Sequence, residues 1–210
     1  MAGQNLSAIS SLAAAIEERE PGPPPGFGIE HAVLTIVTVG DSGSVGRQTL
    51  AKRVDLGEGS MRTVLRKLGR AGYLRVDRSG CHLTPSGQRL FHSISRRLGP
   101  TVLIGPTTFT VGSSQVAALV HSPKPVGKGI EQRDSAIRMK ASGATTYLIK
   151  GGKFTIPGGS NDCERDYPSP AWSALRKELK PRSGDAIIIC GAASERNARL
   201  GALSAALTLL

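Results

Sequence analysis

Residues 46–87 read GRQTLAKRVDLGEGSMRTVLRKLGRAGYLRVDRSGCHLTPSG. The stretch resolves into a short helix, a glycine-rich turn, a basic second helix, a β-hairpin and the start of a further helix. Over Ser60 to Ala71, at about 100° per residue, Met61, Val64, Leu65 and Leu68 share one face, and Gly72 continues it. Arg62, Thr63, Arg66, Lys67 and Arg70 take the opposite side. Ser60 is the expected N-cap, and Gly57 and Gly59 permit the tight turn before it. The apolar face is expected to pack on the helix Arg47–Val54 through Leu50, Ala51 and Val54.

The hairpin reads Leu74–Arg78, Ser79-Gly80, Cys81–Thr84, a two-residue turn ending in glycine. Arg75 and Arg78 sit on it, Arg78 beside the tip. Thr84 then serves as N-cap and Pro85 as first helical residue of a helix expected to run to about Leu98, with Leu90, Ile94 and Leu98 four apart. This order of elements predicts a winged helix-turn-helix. Its second helix would enter a major groove, where long cations suit phosphate oxygens and the O6/N7 edge of guanine. The wing would reach the backbone or the adjacent minor groove. The expected partner is therefore double-stranded DNA, touched by Arg47, Ser60, Arg62, Thr63, Arg66, Lys67, Arg70, Arg75 and Arg78.

The charge map agrees. Residues 41–99 hold 12 Lys and Arg against 4 Asp and Glu, while the whole chain holds 27 against 16, a net +11. Most of the basicity is thus local, the electrostatic footprint of nucleic-acid binding. A membrane-surface role is disfavoured, because the apolar faces are needed for the core of a small domain.

A chain of 210 residues allows one large or two small domains, and 39% apolar content supports real cores. Met1–Ile16 lacks a cationic start and has Gln, Asn and Ser in its apolar part, so it makes a poor signal peptide. Gly201–Leu210 is too short to cross a bilayer. Cys81, Cys163 and Cys190, without a CxxC, argue against a disulfide framework or a zinc finger. Cys81 and His82 are strand neighbours pointing to opposite faces, and His31, His82, His92 and His121 show no ligand spacing. No metal and no cofactor are expected, and the cytoplasm is the expected compartment.

Residues 5–19 can form a short helix with Leu6, Ile9, Leu12 and Ile16 on one side, broken by a stiff linker at Pro21–Gly26. His31–Val39, HAVLTIVTV, is a strand by β-propensity. It is read as a helix because a winged helix needs one before Gly43. The expected division is residues 1–28 as helix and linker, 29–99 as the winged helix, and 100–210 as a second domain, with the break near Gly99-Pro100.

From Thr101 onward Arg and Lys thin out, and strands alternate with helices. Expected strands are Thr101–Ile104, Phe109–Val111, Val116–Val120, Thr145–Ile149, Phe154–Ile156 and Ala186–Cys190, with a hairpin at Lys150–Lys153. Expected helices are Ile130–Lys140, Ala171–Leu179 and Glu195–Leu209. Ser169 as N-cap, Pro170 and Lys180-Pro181 bracket the middle one. Ala198, Gly201, Ala202, Ala205 and Ala206 let the last lie close to a sheet or another helix. The fold class is α/β with two domains, the second carrying a mixed sheet.

Four segments resemble a set of uncharacterised archaeal proteins described as transcriptional regulators. They are PGFGIEHAV (25–33), GRQTLAKRVDLGEGSMRTVLRKLGRAGYL (46–74), LTPSG (83–87) and GIEQRDSAI with GATTYLIKGGKFTIPG (129–137 and 143–158). Those proteins join an N-terminal winged helix to a C-terminal domain of unknown function. The resemblance runs from about Pro21 and implies the two-domain layout and DNA binding. It supplies no effector and no catalytic residue.

Two places in the second domain invite a ligand. Pro125–Asp134 is a glycine-rich loop entering a helix, where backbone N–H groups with Lys128 and Arg133 would hold a small anionic effector lined by Glu131, Gln132 and Asp134. It is neither a Walker A loop nor a GxGxxG. The bland reading is a helix start whose dipole Glu131 and Asp134 complement. Gly191–Ser194 follows a strand and precedes a helix, the other candidate. Asp162, Glu164 and Asp166 cluster, but a solvated loop explains them, and no Ser/His/Asp or Cys/His set has local support, so no catalytic residue is expected. The chain reads as a DNA-binding transcriptional regulator, a homodimer, whose second domain senses a small ligand or mediates assembly. Two rivals are an enzyme with an autoregulatory winged helix and a protein-interaction module.

Overall fold

The computed structural model describes residues 2–18, 26–105 and 107–210. Residues 21–25 of the expected linker, residue 19 at the end of the expected first helix and the side chain of Leu6 lie outside the described residues. The chain divides into two units between Ser95 and Arg96.

The first unit contains α1 (Ala2–Glu17), α2 (Ile29–Ser42), α3 (Arg47–Val54), α4 (Glu58–Arg70), the hairpin β1 (Leu74–Asp77) and β2 (Gly80–Leu83), and α5 (Pro85–Ser95). The segment with strand propensity is indeed helical. Ala32, Val33, Ile36 and Val39 recur at helical spacing and are all buried, so packing outweighs propensity. Gly28 N–H donates to Nδ1 of His31 at the start of α2. A Cβ on Gly40 would overlap the Phe91 ring, so α2 and α5 pack at close range.

Two details differ from the sequence reading. Helix α4 begins at Glu58 with Gly57 as N-cap, which leaves Ser60 inside the first turn rather than capping it. The hairpin turn is Arg78-Ser79, one residue earlier than expected, because Gly80 already pairs with Asp77. The N-cap role of Thr84 holds. Its Oγ1 accepts from Gly87 N–H at 3.0 Å and donates to the Gly72 carbonyl at 2.5 Å.

The second unit contains β3 (Leu98–Ile104), β4 (Ser114–Val120), α6 (Ile130–Arg138), β5 (Gly143–Lys150), β6 (Lys153–Thr155), α7 (Cys163–Asp166), α8 (Ala171–Leu179), β7 (Ala186–Ala192) and α9 (Glu195–Leu207). The strands form one five-stranded sheet in the order β3-β4-β7-β5-β6. Every pairing is antiparallel, so the sheet is not mixed as expected. The helix α6 between β4 and β5 crosses over between two strands that are parallel to each other but not neighbours; β7 enters between them and runs against both.

Strand β7 is buried along its whole length, as its apolar run AIIICGA requires. On one face, Ile187 and Ile189 join Phe109, Tyr147, Phe154, Trp172 and Leu175. Phe109 stacks on Trp172 at 3.9 Å, and the Arg176 guanidinium lies 4.9 Å from the Phe154 ring centroid. The other face carries α6 and α9. There a Cβ on Gly201 would meet Cys190 Sγ at 2.6 Å, so the small residues of α9 serve contact with the sheet. The hairpin between β5 and β6 turns on Gly151 and Gly152, both with positive φ.

Two further expectations are corrected. Phe109–Val111 is a loop rather than a strand, and Phe109 is spent on the aromatic cluster. Leu98 begins β3 instead of ending α5, the two units divide a few residues before Gly99-Pro100, and that dipeptide lies inside β3. It falls at the register shift between Leu98 and Thr101, on the edge strand, where proline's missing N–H is tolerated.

Candidate nucleic-acid interface

Helix α3, the Asp55–Gly57 turn and α4 form the helix-turn-helix. Asp55 caps α3 in the left-handed conformation, and Leu56 N–H returns to the Ala51 carbonyl at 2.9 Å. Met61, Val64, Leu65 and Leu68 bury the inner face of α4. Arg62, Arg66 and Arg70 are exposed, spaced by four along its outer face, with Thr63 and Ser60 half-buried beside them. Thr63 Oγ1 donates to the Gly59 carbonyl at 3.3 Å. Arg47 is exposed at the start of α3.

Lys67 departs from this set. Only 4% of it is exposed, and its Nζ donates to the Glu18 carbonyl at 2.6 Å. On a helical projection Lys67 falls about 60° from Val64, at the border of the apolar face. Helix α1 packs on α4 along that border, so the lysine stem is covered and the ammonium finds a carbonyl. Lys67 is therefore not a groove-facing cation.

The wing is braced at both ends. At its base, Thr84 Oγ1 donates to the Gly72 carbonyl, and one step from the turn Val45 pairs with Cys81, adding a bridge to β2. At its tip, Ser44 Oγ donates to the Ser79 carbonyl at 2.9 Å. Asp77 Oδ1 accepts from both Ser79 N–H at 2.9 Å and Ser79 Oγ at 2.5 Å. These bonds, the hydroxyl first, hold the Asp77 carboxyl below its ordinary range, with His82 and Arg75 nearby adding to the effect. Arg75 lies 3.9 Å from Asp77, and Arg75 and Arg78 are exposed. Ser44 and Asp77 were passed over in the sequence because one lies outside the hairpin and the other carries the wrong charge for DNA. The Asp-x-Ser spacing of a tight turn was the available signal.

In the second unit the structure distributes the expected ligand residues rather than converging them. Lys128 and Glu131 are exposed. Gln132 is buried and its Nε2 donates to Thr208 Oγ1 at 2.7 Å, tying α6 to α9. Arg133 pairs with Asp134 at 3.1 Å. Gly191 belongs to β7, where a Cβ would overlap the Val111 carbonyl, so that connection is closed by packing.

The acidic cluster is internally neutralised. Asp162 pairs with Lys153 at 2.7 Å, Glu164 with Arg176 at 2.5 Å and Asp166 with Arg165 at 3.0 Å. Among the described residues no group of three His, Cys, Asp or Glu could hold a metal. His121 Nδ1 lies 3.0 Å from Asp185 Oδ2, a pair hidden from the sequence by a separation of 64 positions. It joins the end of β4 to the turn before β7. No helix among the described residues is long and apolar enough to cross a membrane.

Residues 111–209 match the family described as a domain of unknown function, DUF4443. The fold is similar to that of hypothetical protein PH0730 from Pyrococcus horikoshii OT3, at 27% identity and a TM-score of 0.68, over 87% of this chain and 92% of that one. Shorter matches include ligand-free NadR, at 20% identity and a TM-score of 0.31 over 45% of this chain and 67% of that one. A MarR family protein of Mycobacterium tuberculosis matches at 23% identity and a TM-score of 0.29, over 43% of this chain and 64% of that one. No curated protein matches the sequence.

Proposed function

We propose that the chain is a DNA-binding transcriptional regulator that works as a homodimer. The observation that carries this reading is the exposed row Arg62, Arg66 and Arg70 on the second helix of a helix-turn-helix, flanked by Arg75 and Arg78 on a braced wing. A helix with one buried apolar face and one cationic face is built to lie in a major groove, and a braced hairpin beside it reaches the adjoining backbone. Two copies related by a two-fold would place two such helices on successive half-sites. The second unit then supplies assembly or control.

The test is the salt dependence of binding to duplex DNA by fluorescence anisotropy. If three of the five arginines neutralise phosphates, log affinity falls against log salt with a slope of about −3 per subunit. Affinity that ignores salt, or no binding to any duplex at low salt, defeats the reading.

A further inference from the structure

We infer that the amino end of α6, with Thr146 beneath it, is a binding site for a small phosphate-type anion. The inference stands apart from the DNA interface and does not depend on it.

The first observation is the helix end. Helix α6 starts at Ile130 behind Gly129, which has no side chain and caps nothing. The first intrahelical bond runs from Arg133 N–H to the Gly129 carbonyl at 3.1 Å. The N–H groups of Ile130, Glu131 and Gln132 therefore have no intrahelical acceptor, and they point where the helix dipole favours negative charge. Gly129 has φ +76, and Gly127 before it faces open space. Lys128, between the two glycines, is exposed.

The second observation is independent of the helix. Thr146 lies on β5, on the sheet face that carries α6 and α9. It is 3% exposed, and its Oγ1 is buried without a hydrogen-bond partner among the described residues. That oxygen lies 3.5 Å from the point where a Cβ on Gly129 would sit. The hydroxyl is thus held directly under the residue that caps α6. A buried hydroxyl with no partner is destabilising, and valine fills nearly the same space without that cost. The arrangement makes sense if the hydroxyl has an acceptor to meet. Glycine at 129 leaves no side chain over it.

The chemistry selects the ligand. N–H dipoles, a hydroxyl and one ammonium are all donors, so the ligand is an acceptor-rich anion. Glu131 in the first turn adds a negative charge, which favours a compact, modestly charged group over a polyphosphate. A phosphate or phosphate monoester fits both conditions.

The experiment is calorimetric titration of the full chain with inorganic phosphate at constant ionic strength. Wild type is expected to bind, Thr146→Ser to bind like wild type, and Thr146→Val and Lys128→Ala to bind at least fivefold more weakly. Thr146→Val should at the same time melt at a higher temperature than wild type without phosphate. That combination separates a ligand role from a structural one, since a hydroxyl needed only for packing would lower the melting temperature when removed. No heat of binding with wild type, or equal affinity in Thr146→Val, overturns the site. If Thr146→Val does not fold, the Lys128→Ala result decides. Duplex binding, measured on the same proteins, is expected to stay unchanged in Thr146→Val, so failure here is distinguishable from failure of the DNA reading.

Discussion

Lys67 Nζ donates to the carbonyl of Glu18, 49 residues away, at 2.6 Å. A cation on the second helix of the helix-turn-helix is thereby committed to joining α4 to the segment that follows α1. The row of charges on α4 divides into cations that face outward and one that holds the unit together.

Lys67→Ala is expected to destabilise the first unit by about 1–3 kcal/mol, the range for a hydrogen bond to a charged group plus lost packing of the stem. Its salt slope for duplex binding is expected to match wild type. Thermal melting followed by circular dichroism reads the first effect and anisotropy titration the second. A shallower slope with unchanged melting would return Lys67 to the DNA surface.

Arg62 lies in the second turn of α4 and Arg66 one turn further along the same exposed face, and Arg75 and Arg78 lie on the wing. Arg66→Ala is expected to lose about 1–3 kcal/mol of discrimination between a selected site and random duplex. Arg78→Ala is expected to weaken both duplexes alike and to lessen the salt slope by about one. The reverse pattern would exchange the roles of helix and wing.

All three thiols are buried, and burial pushes each of them up, that of Cys190 to about 12. The thiolate is the reactive form. Iodoacetamide at pH 8 is expected to leave the folded chain unmodified over times in which the unfolded chain takes three equivalents. Intact mass measures both. Rapid labelling of one cysteine in the folded chain would show a local opening at that site.

Below neutral pH the carboxylates of the second unit matter. Bonds from Lys153 hold the Asp162 carboxyl below its ordinary 3.8, and bonds from Ser160 and Arg165 do the same for Asp166. A folded-state value below the unfolded one contributes stability that is complete above about pH 4. That stability is lost as the pH falls through the lower folded values. Asp162→Asn is therefore expected to melt lower than wild type above about pH 4 and to converge with it as the pH falls, which flattens the acid limb of the profile. An unaltered acid limb would mean that the pair with Lys153 contributes nothing in solution.

The helix-turn-helix and hairpin were legible because their signals are local. The run Met61, Val64, Leu65, Leu68 fixes a face, Thr84-Pro85 fixes a helix start, and Gly151-Gly152 fixes a turn. Helix α2 was legible only through its neighbours, since HAVLTIVTV carries the residues of a strand. Strand direction in the second unit was not legible. The helix between β4 and β5 does join parallel strands, but β7, from far downstream, inserts between them and makes every hydrogen-bonded pair antiparallel. Lys67 was misplaced because its angle on α4 puts it at a border, and what covers that border comes from α1. The pairing of His121 with Asp185 and the burial of Thr146 under Gly129 are contacts between distant segments, which no spacing rule reports.

The position of β7 has a consequence for how the polypeptide comes off the ribosome. It is the last strand in the sequence and the middle strand of the sheet, bonded on both sides to β4 and β5. Until residue 192 has emerged, the nascent second unit consists of two separate hairpins, each with an open edge and an uncovered apolar face. Its folding is dominated by pairings between segments far apart in the sequence, which are slow to form. Those open edges are the kind that recruit other chains. During synthesis the hazard is pairing with a neighbouring nascent copy. The finished strand removes it by filling the gap that it alone fits.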